Sequence, residues 1–157
     1  MNAENAERIA RDAHAGIVDR SGTPYIKHVE RVAQAAPQWA RPLAWLHDTV
    51  EDTDVTFEQL ADAGLTDVQL AALQLVTRDL DSGVTYMDWI RQIAAAPGEA
   101  GRMARAVKLI DVEDNISRPA ASEADRQMKN GRYARARKIL VRAMQQDGEL
   151  EPLDETR

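Results

Sequence analysis

Cysteine is absent from this 157-residue chain, which removes disulfides, thiolate metal sites and cysteine nucleophiles from consideration. Any metal must be held by His, Asp, Glu or water. Aromatic residues are scarce, with one Phe, three Tyr and three Trp. Ala, Leu and Val abound, and that composition favours packed helices over a sheet. No apolar run approaches the roughly 18 residues needed to span a membrane. The opening residues MNAENAERIARDAHAG lack the basic-then-apolar pattern of a signal peptide, so the expectation is a cytoplasmic protein with no membrane partner. Positive charge is in deficit too. A net charge of −6 argues against a nucleic-acid partner, whose binding proteins usually carry a positive field, and an anionic substrate would have to be met by a local basic pocket. What is present is ordinary for a globular protein: 44% hydrophobic and 29% charged residues, in a length that suits one domain with a real core.

Helical signals follow one another with short breaks, and no convincing alternating strand is found. Asn2 can cap a first helix to about Ala15. Asp19 to Pro24 is a loop punctuated by Ser-Gly and Pro, and a second helix starts near Tyr25. Pro42 suits the first turn of a third helix carrying Leu43, Leu46, His47 and Val50. Thr56 with Gln59, and Thr66 with Gln69, are capping-box patterns that open two more helices. Thr85 begins another, with Met87, Ile90 and Ile93 inward. Gly101 to Ile116 reads as an apolar-faced helix carrying Asp111, and residues 131 to 145 as the last helix, with a frayed acidic tail after Gly148. The fold class is all-α, a single-domain helical bundle.

The chemistry concentrates in His47-Asp48-Thr49-Val50-Glu51-Asp52-Thr53. An adjacent His-Asp pair sets a nitrogen beside an oxygen ligand. Glu51 follows Asp48 by three residues and Asp52 follows it by four, so on a continuous helix both acids stand over the face of the pair. Imidazole and carboxylate ligands with spare carboxylates one turn away suit the activation of water. Asp111 lies in the apolar run Ala106-Val107-Lys108-Leu109-Ile110. A carboxylate there needs a cation: either a metal, or a salt bridge to Lys108 or Arg118. Acids at the helix C-terminus in Glu51-Asp52-Thr53-Asp54 oppose the helix dipole and call for a local reason.

Four fragments occur in order: Ala13-His14-Ala15-Gly16, Ser21-Gly22-Thr23-Pro24-Tyr25-Ile26-Lys27-His28, Leu46-His47-Asp48-Thr49-Val50-Glu51-Asp52-Thr53 and Val107-Lys108-Leu109-Ile110-Asp111-Val112-Glu113-Asp114-Asn115. As a set they resemble the HD-type metal-dependent phosphohydrolases, in the branch of the alarmone (ppGpp) hydrolase domains and small alarmone hydrolases, over residues 8 to 118. The resemblance implies an HD-type domain over 1–147 followed by an acidic tail over 148–157. It implies that His28, His47, Asp48 and Asp111 hold one metal, Mn²⁺ or else Fe²⁺, Co²⁺ or Mg²⁺, and that Glu51 and Asp52 orient or deprotonate the attacking water. Arg20, Ser21, Lys27 and Asn115 fall at positions that would meet the nucleotide. Asp19 stands where these hydrolases often carry a second basic residue, and Asp114 and Arg118 also depart from the commonest pattern.

The activity so implied is hydrolysis of a nucleotide phosphate, with removal of the 3′-pyrophosphate of (p)ppGpp first. Alternatives are a phosphatase of another nucleotide, such as the 2′-phosphate of NADPH, or a non-catalytic nucleotide-sensing module. Within this length no synthetase domain is expected. The apolar stripes leave room for a homo-oligomer. Of the late basic residues, Lys129 and Arg132 begin the last helix and could reach a substrate phosphate. His14 is expected to pack near the centre or donate a hydrogen bond to it, and Tyr25 to pack.

Overall fold

In a computed structural model, which describes residues 1–150, the chain is a bundle of helices joined by short turns. Among the described residues the extended structure amounts to one isolated bridge between Val18 and Pro24, and no helix is long and apolar enough to cross a membrane.

Helix α1 (Ala3–Ala13) starts where Asn2 Oδ1 accepts the Asn5 N–H at 2.9 Å. It buries Ala6 and Ala10, and lies against α3 (Arg41–Leu46). The loop to α2 (Ile26–Ala35) turns at Gly22, whose φ of +79° explains a glycine there. Pro42 sits in the first turn of α3, and every residue from Pro42 to Leu46 is buried, so α3 forms the centre of the bundle.

The third helix does not run through Val50 as the sequence suggested. It ends at Leu46, and α4 (Thr49–Asp52) begins a new turn after Asp48, whose φ of −105° and ψ of 0° are not helical. The His-Asp pair therefore lies at a helix break. On a continuous helix its two side chains would diverge by about 100°; the break lets them converge.

Both capping boxes form as the sequence predicts, opening α5 (Phe57–Asp62) and α6 (Asp67–Val76). Thr85 caps α7 (Tyr86–Ala95), which buries Ile90 and Ile93. The longest helix, α8 (Gly98–Ser117), has 20 residues and packs on α2, α6, α7 and α10. It starts three residues earlier than expected. Gly101 is buried, and a Cβ there would run into the Ala96 carbonyl.

The last helical stretch also begins earlier. α9 (Glu123–Met128) leads through a π-turn (Lys129–Tyr133) into α10 (Ala134–Gln146). Just past Gly148, where the sequence suggests a frayed tail, Glu149 is bonded to the bundle. Arg105, buried on α8, donates to Glu149 Oε1 at 2.5 Å and Oε2 at 3.1 Å, while its Nη1 meets the Ala96 carbonyl at 2.5 Å. The remainder of the expected tail, 151–157, lies outside the described residues.

Candidate functional site

Three elements bring four side chains to one point. His28 comes from the first turn of α2, His47 and Asp48 from the break between α3 and α4, and Asp111 from the middle of α8. One ligand atom from each lies within 4.8 Å of all the others. His28 Nε2 is 3.0 Å from Asp111 Oδ1 and 3.6 Å from Asp48 Oδ2; His47 Nε2 is 3.0 Å from Asp48 Oδ2 and 3.6 Å from Asp111 Oδ1. The imidazoles and Asp111 are buried, and Asp48 is nearly so.

The far side of each group is already engaged. His28 Nδ1 donates to Asp114 Oδ2 at 2.6 Å, and His47 Nδ1 to the Ala44 carbonyl at 2.7 Å. Tyr25 donates its hydroxyl to Asp48 Oδ2 at 2.6 Å, and Lys108 Nζ donates to Asp111 Oδ2 at 2.7 Å. Asn115 Nδ2 donates to Asp111 Oδ1 at 3.1 Å. Because both Nδ1 atoms face acceptors, it is Nε2 that carries the lone pair in each neutral ring. Both are buried without a well-aligned hydrogen-bond partner: the carboxylate oxygens are close to them but not directed at them. Two nitrogens and two carboxylates aimed at a common point fit a divalent cation of the borderline kind.

Electrostatics describe the same group without an ion. Burial works against a charged imidazole, but the neighbouring carboxylates of Asp111, Asp114 and Asp48 outweigh it and push His28 up to about 9. His47 is raised for a similar balance of reasons. Burial opposes the charge on Asp48 and Asp111, yet His47 and His28 hold the first well below the usual carboxylate range, and Lys108 with both histidines does the same for the second.

Asp48 and Asp111 line a cleft of about 1030 Å³, and the two imidazoles are buried beside them. Glu51 and Asp52 stand on its wall. Glu51 Oε1 accepts the Arg78 backbone N–H at 2.7 Å, and burial raises its pKa. Asp52 is pushed up to about 7, first by desolvation in the cleft and then by the charges of Asp48 and Glu51. A carboxylate near neutrality is suited to taking a proton at physiological pH.

Of the residues expected at the substrate, Arg20, Ser21, Asn115, Lys129 and Arg132 all line the cleft. Lys27 does not: one residue before His28 on α2, it points about 100° away, is exposed, and pairs with Glu30 at 3.7 Å. Lys129 reaches the Asn115 carbonyl, and Arg132 lies over the Tyr86 ring at 4.7 Å. Asp19, at the rim, caps its own turn by accepting the Ser21 and Thr23 N–H groups, and lies 3.8 Å from Arg118. His14 is buried, bonded to the Ala10 carbonyl at 2.9 Å and stacked on Tyr25 at 5.7 Å, so it adjoins the centre without joining it. Sequence reasoning missed the bond from Tyr25 to Asp48 and the role of Asp114 and Arg31 behind His28. Arg31 and Asp114 each follow a candidate ligand by three residues, the helical offset that could have found them.

No family model matches the chain. A solved structure, described as that of a metazoan ortholog of SpoT that hydrolyses ppGpp and plays a role in starvation responses, superposes with a TM-score of 0.66 at 23% identity. The superposition covers 94% of this chain and 96% of that one. The two share a fold. In sequence, the chain is 35% identical over 104 residues to a probable GTP pyrophosphokinase of Mycobacterium leprae. It is 49% and 46% identical over 57 residues to the guanosine-3′,5′-bis(diphosphate) 3′-pyrophosphohydrolases of Haemophilus influenzae and Vibrio cholerae. These alignments take in 63% and 33% of this chain, which spans only 12% and 8% of the length of those curated relatives. The resemblance to the HD-type alarmone hydrolases holds.

Proposed function

We propose that this chain is a Mn²⁺-dependent hydrolase that removes the 3′-pyrophosphate of (p)ppGpp. The observation that carries the metal reading is the pair of buried, unpartnered Nε2 atoms of His28 and His47, facing Asp48 and Asp111 within one 4.8 Å group. The names of the pyrophosphohydrolase relatives support the choice of substrate and do not favour the 2′-phosphate of NADPH.

His28, His47, Asp48 and Asp111 would hold the ion. When bound, it supplies a Lewis acid that acidifies water and offsets charge on the phosphoryl oxygens. Asp52, with its pKa near neutral, would accept the proton of the attacking water, and Glu51, fixed by the Arg78 N–H, would orient that water. The water oxygen bonds to the phosphorus attached at O3′, the P–O3′ bond breaks, the ribose oxygen takes up a proton, and the products are pyrophosphate and GDP from ppGpp, or GTP from pppGpp. Arg20, Lys129 and Arg132 place positive charge along the cleft where an anionic nucleotide needs it, and Ser21 and Asn115 add hydrogen-bonding groups. Lys27 is left out of this assignment by its position.

The test is release of pyrophosphate from ppGpp, and of phosphate from NADPH, by metal-free protein with and without added Mn²⁺. Mn²⁺-dependent release from ppGpp that disappears in Asp48→Ala supports the proposal. A chain that binds Mn²⁺ but turns over neither nucleotide refutes the substrate while leaving the centre.

A further inference from the structure

The two candidate histidine ligands are held from behind in different ways. His47 Nδ1 rests on a neutral backbone carbonyl, that of Ala44, at 2.7 Å. His28 Nδ1 rests on a carboxylate, Asp114 Oδ2, at 2.6 Å. That carboxylate is itself clamped: Arg31 donates from Nε to Oδ1 at 2.7 Å and from Nη2 to Oδ2 at 3.0 Å, a two-point grip that fixes the plane of the carboxyl group. The layout follows from helical spacing on both sides. On α2, Arg31 lies three residues after His28; on α8, Asp114 lies three after Asp111. One helix thus presents an imidazole and its guanidinium neighbour, and the other presents two carboxylates one turn apart. Asp111 faces Nε2 of the imidazole at 3.0 Å, and Asp114 faces Nδ1.

We infer that Asp114, oriented by Arg31, is a positioning residue that fixes the tautomer and aim of His28 and thereby sets the affinity of the metal centre. The inference rests on the reading of His28, His47, Asp48 and Asp111 as metal ligands. A carboxylate behind a ligating imidazole holds the proton on the far nitrogen, limits ring rotation and makes the near nitrogen a stronger donor. Of the two imidazoles, only His28 has this support from side chains, so it is the one open to disruption by side-chain substitution. A plain structural ion pair between α2 and α8 would stabilise the fold without touching metal affinity.

The measurement is Mn²⁺ binding to metal-free protein by electron paramagnetic resonance, with no nucleotide present, beside the Tm of each metal-free variant. Asp114→Ala is expected to weaken Mn²⁺ binding by about 10–100-fold. Asp114→Asn, whose amide oxygen can accept the same Nδ1 hydrogen, should lose less, and Arg31→Gln should fall between Asn and wild type. With Co²⁺ as probe, the visible spectrum of Asp114→Ala should shift, because the donor set is distorted. Wild-type affinity in a folded Asp114→Ala overturns the inference. So does an Asn variant as weak as the Ala variant, which would reduce the effect to charge alone. If Asp114→Ala does not fold, Asp114→Asn and Arg31→Gln decide it, and wild-type affinity in both overturns it. A wild-type chain that binds no Mn²⁺ overturns this inference and the proposed function together. One that binds Mn²⁺ without hydrolysing ppGpp refutes only the function.

Discussion

Asp111 divides its two oxygens between a lysine and the histidines. Oδ2 is 2.7 Å from Lys108 Nζ, and Oδ1 is 3.0 Å from His28 Nε2. Lys108 is buried against the Trp89 ring, its Nζ 4.4 Å from the centroid. Removing one partner of such a pair strands the other charge, a loss of roughly 3–5 kcal/mol. Asp111→Ala should therefore destabilise the metal-free protein by about that much in urea denaturation. Adding Lys108→Met should recover much of the stability without restoring metal binding, and a single variant as stable as wild type would contradict this account. The alternatives that the sequence posed for Asp111, ligand or salt bridge, are thus not exclusive. Protonation is the second prediction at this scale. With His28 pushed up to about 9 in the metal-free protein, an ion must displace its proton, so Mn²⁺ affinity should rise with pH up to about 9 and binding should release protons, measurable by calorimetry in buffers of different ionisation enthalpy. The sign for stability is opposite. The charged imidazole stabilises the metal-free fold in full below its ordinary value of 6.5, and that contribution is lost as pH climbs through about 9.

At the scale of elements, legibility followed local chemistry. Thr56 and Thr66 with their glutamines announce α5 and α6 because the cap is built from residues three apart. The break at His47-Asp48 has no such sign. No glycine or proline stands between Leu46 and Thr49, and the offsets that suggested one helical face assumed a helix that ends at Leu46. The break is accompanied by one local bond, His47 Nδ1 on the Ala44 carbonyl three residues back, and one tertiary bond, Tyr25 on Asp48. The π-turn at Lys129–Tyr133 was equally hidden, since Gly131 alone inside a helical pattern marks nothing. Such turns recur at functional sites, and here the turn carries Lys129, Arg132 and Tyr133 to the cleft. Deleting Gly131 should restore α-helical register and swing α9 by about 100° against α10, taking Lys129 out of place. We expect a higher KM for ppGpp with Mn²⁺ affinity unchanged. A loss of Mn²⁺ binding would mean that the turn supports the centre as well.

At the scale of the molecule, the all-helical class was legible from composition. The four candidate ligands stand out only as a set, because each is unremarkable alone and they meet through contacts between residues far apart in sequence. Lys27 shows the limit of motif reasoning: it sits inside a matched fragment and faces solvent. The second tier of residues, Arg31, Asp114 and Tyr25, was illegible because its meaning depends on which helix lies opposite. That convergence has a further consequence. The donor atoms come from a stretch near residue 28, one near 47 and one near 111, so an ion held by them would act as a cross-link, closing long loops of the unfolded chain in the way a disulfide does. A chain without cysteine has no covalent means to the same end. At a hundred times its Kd, Mn²⁺ should add about 2.7 kcal/mol to stability, a Tm rise on the order of 5–10 °C for a domain of this size. Asp48→Ala should show no rise, and thermal denaturation with Mn²⁺ against EDTA would show whether the centre staples the fold as well as serving its chemistry.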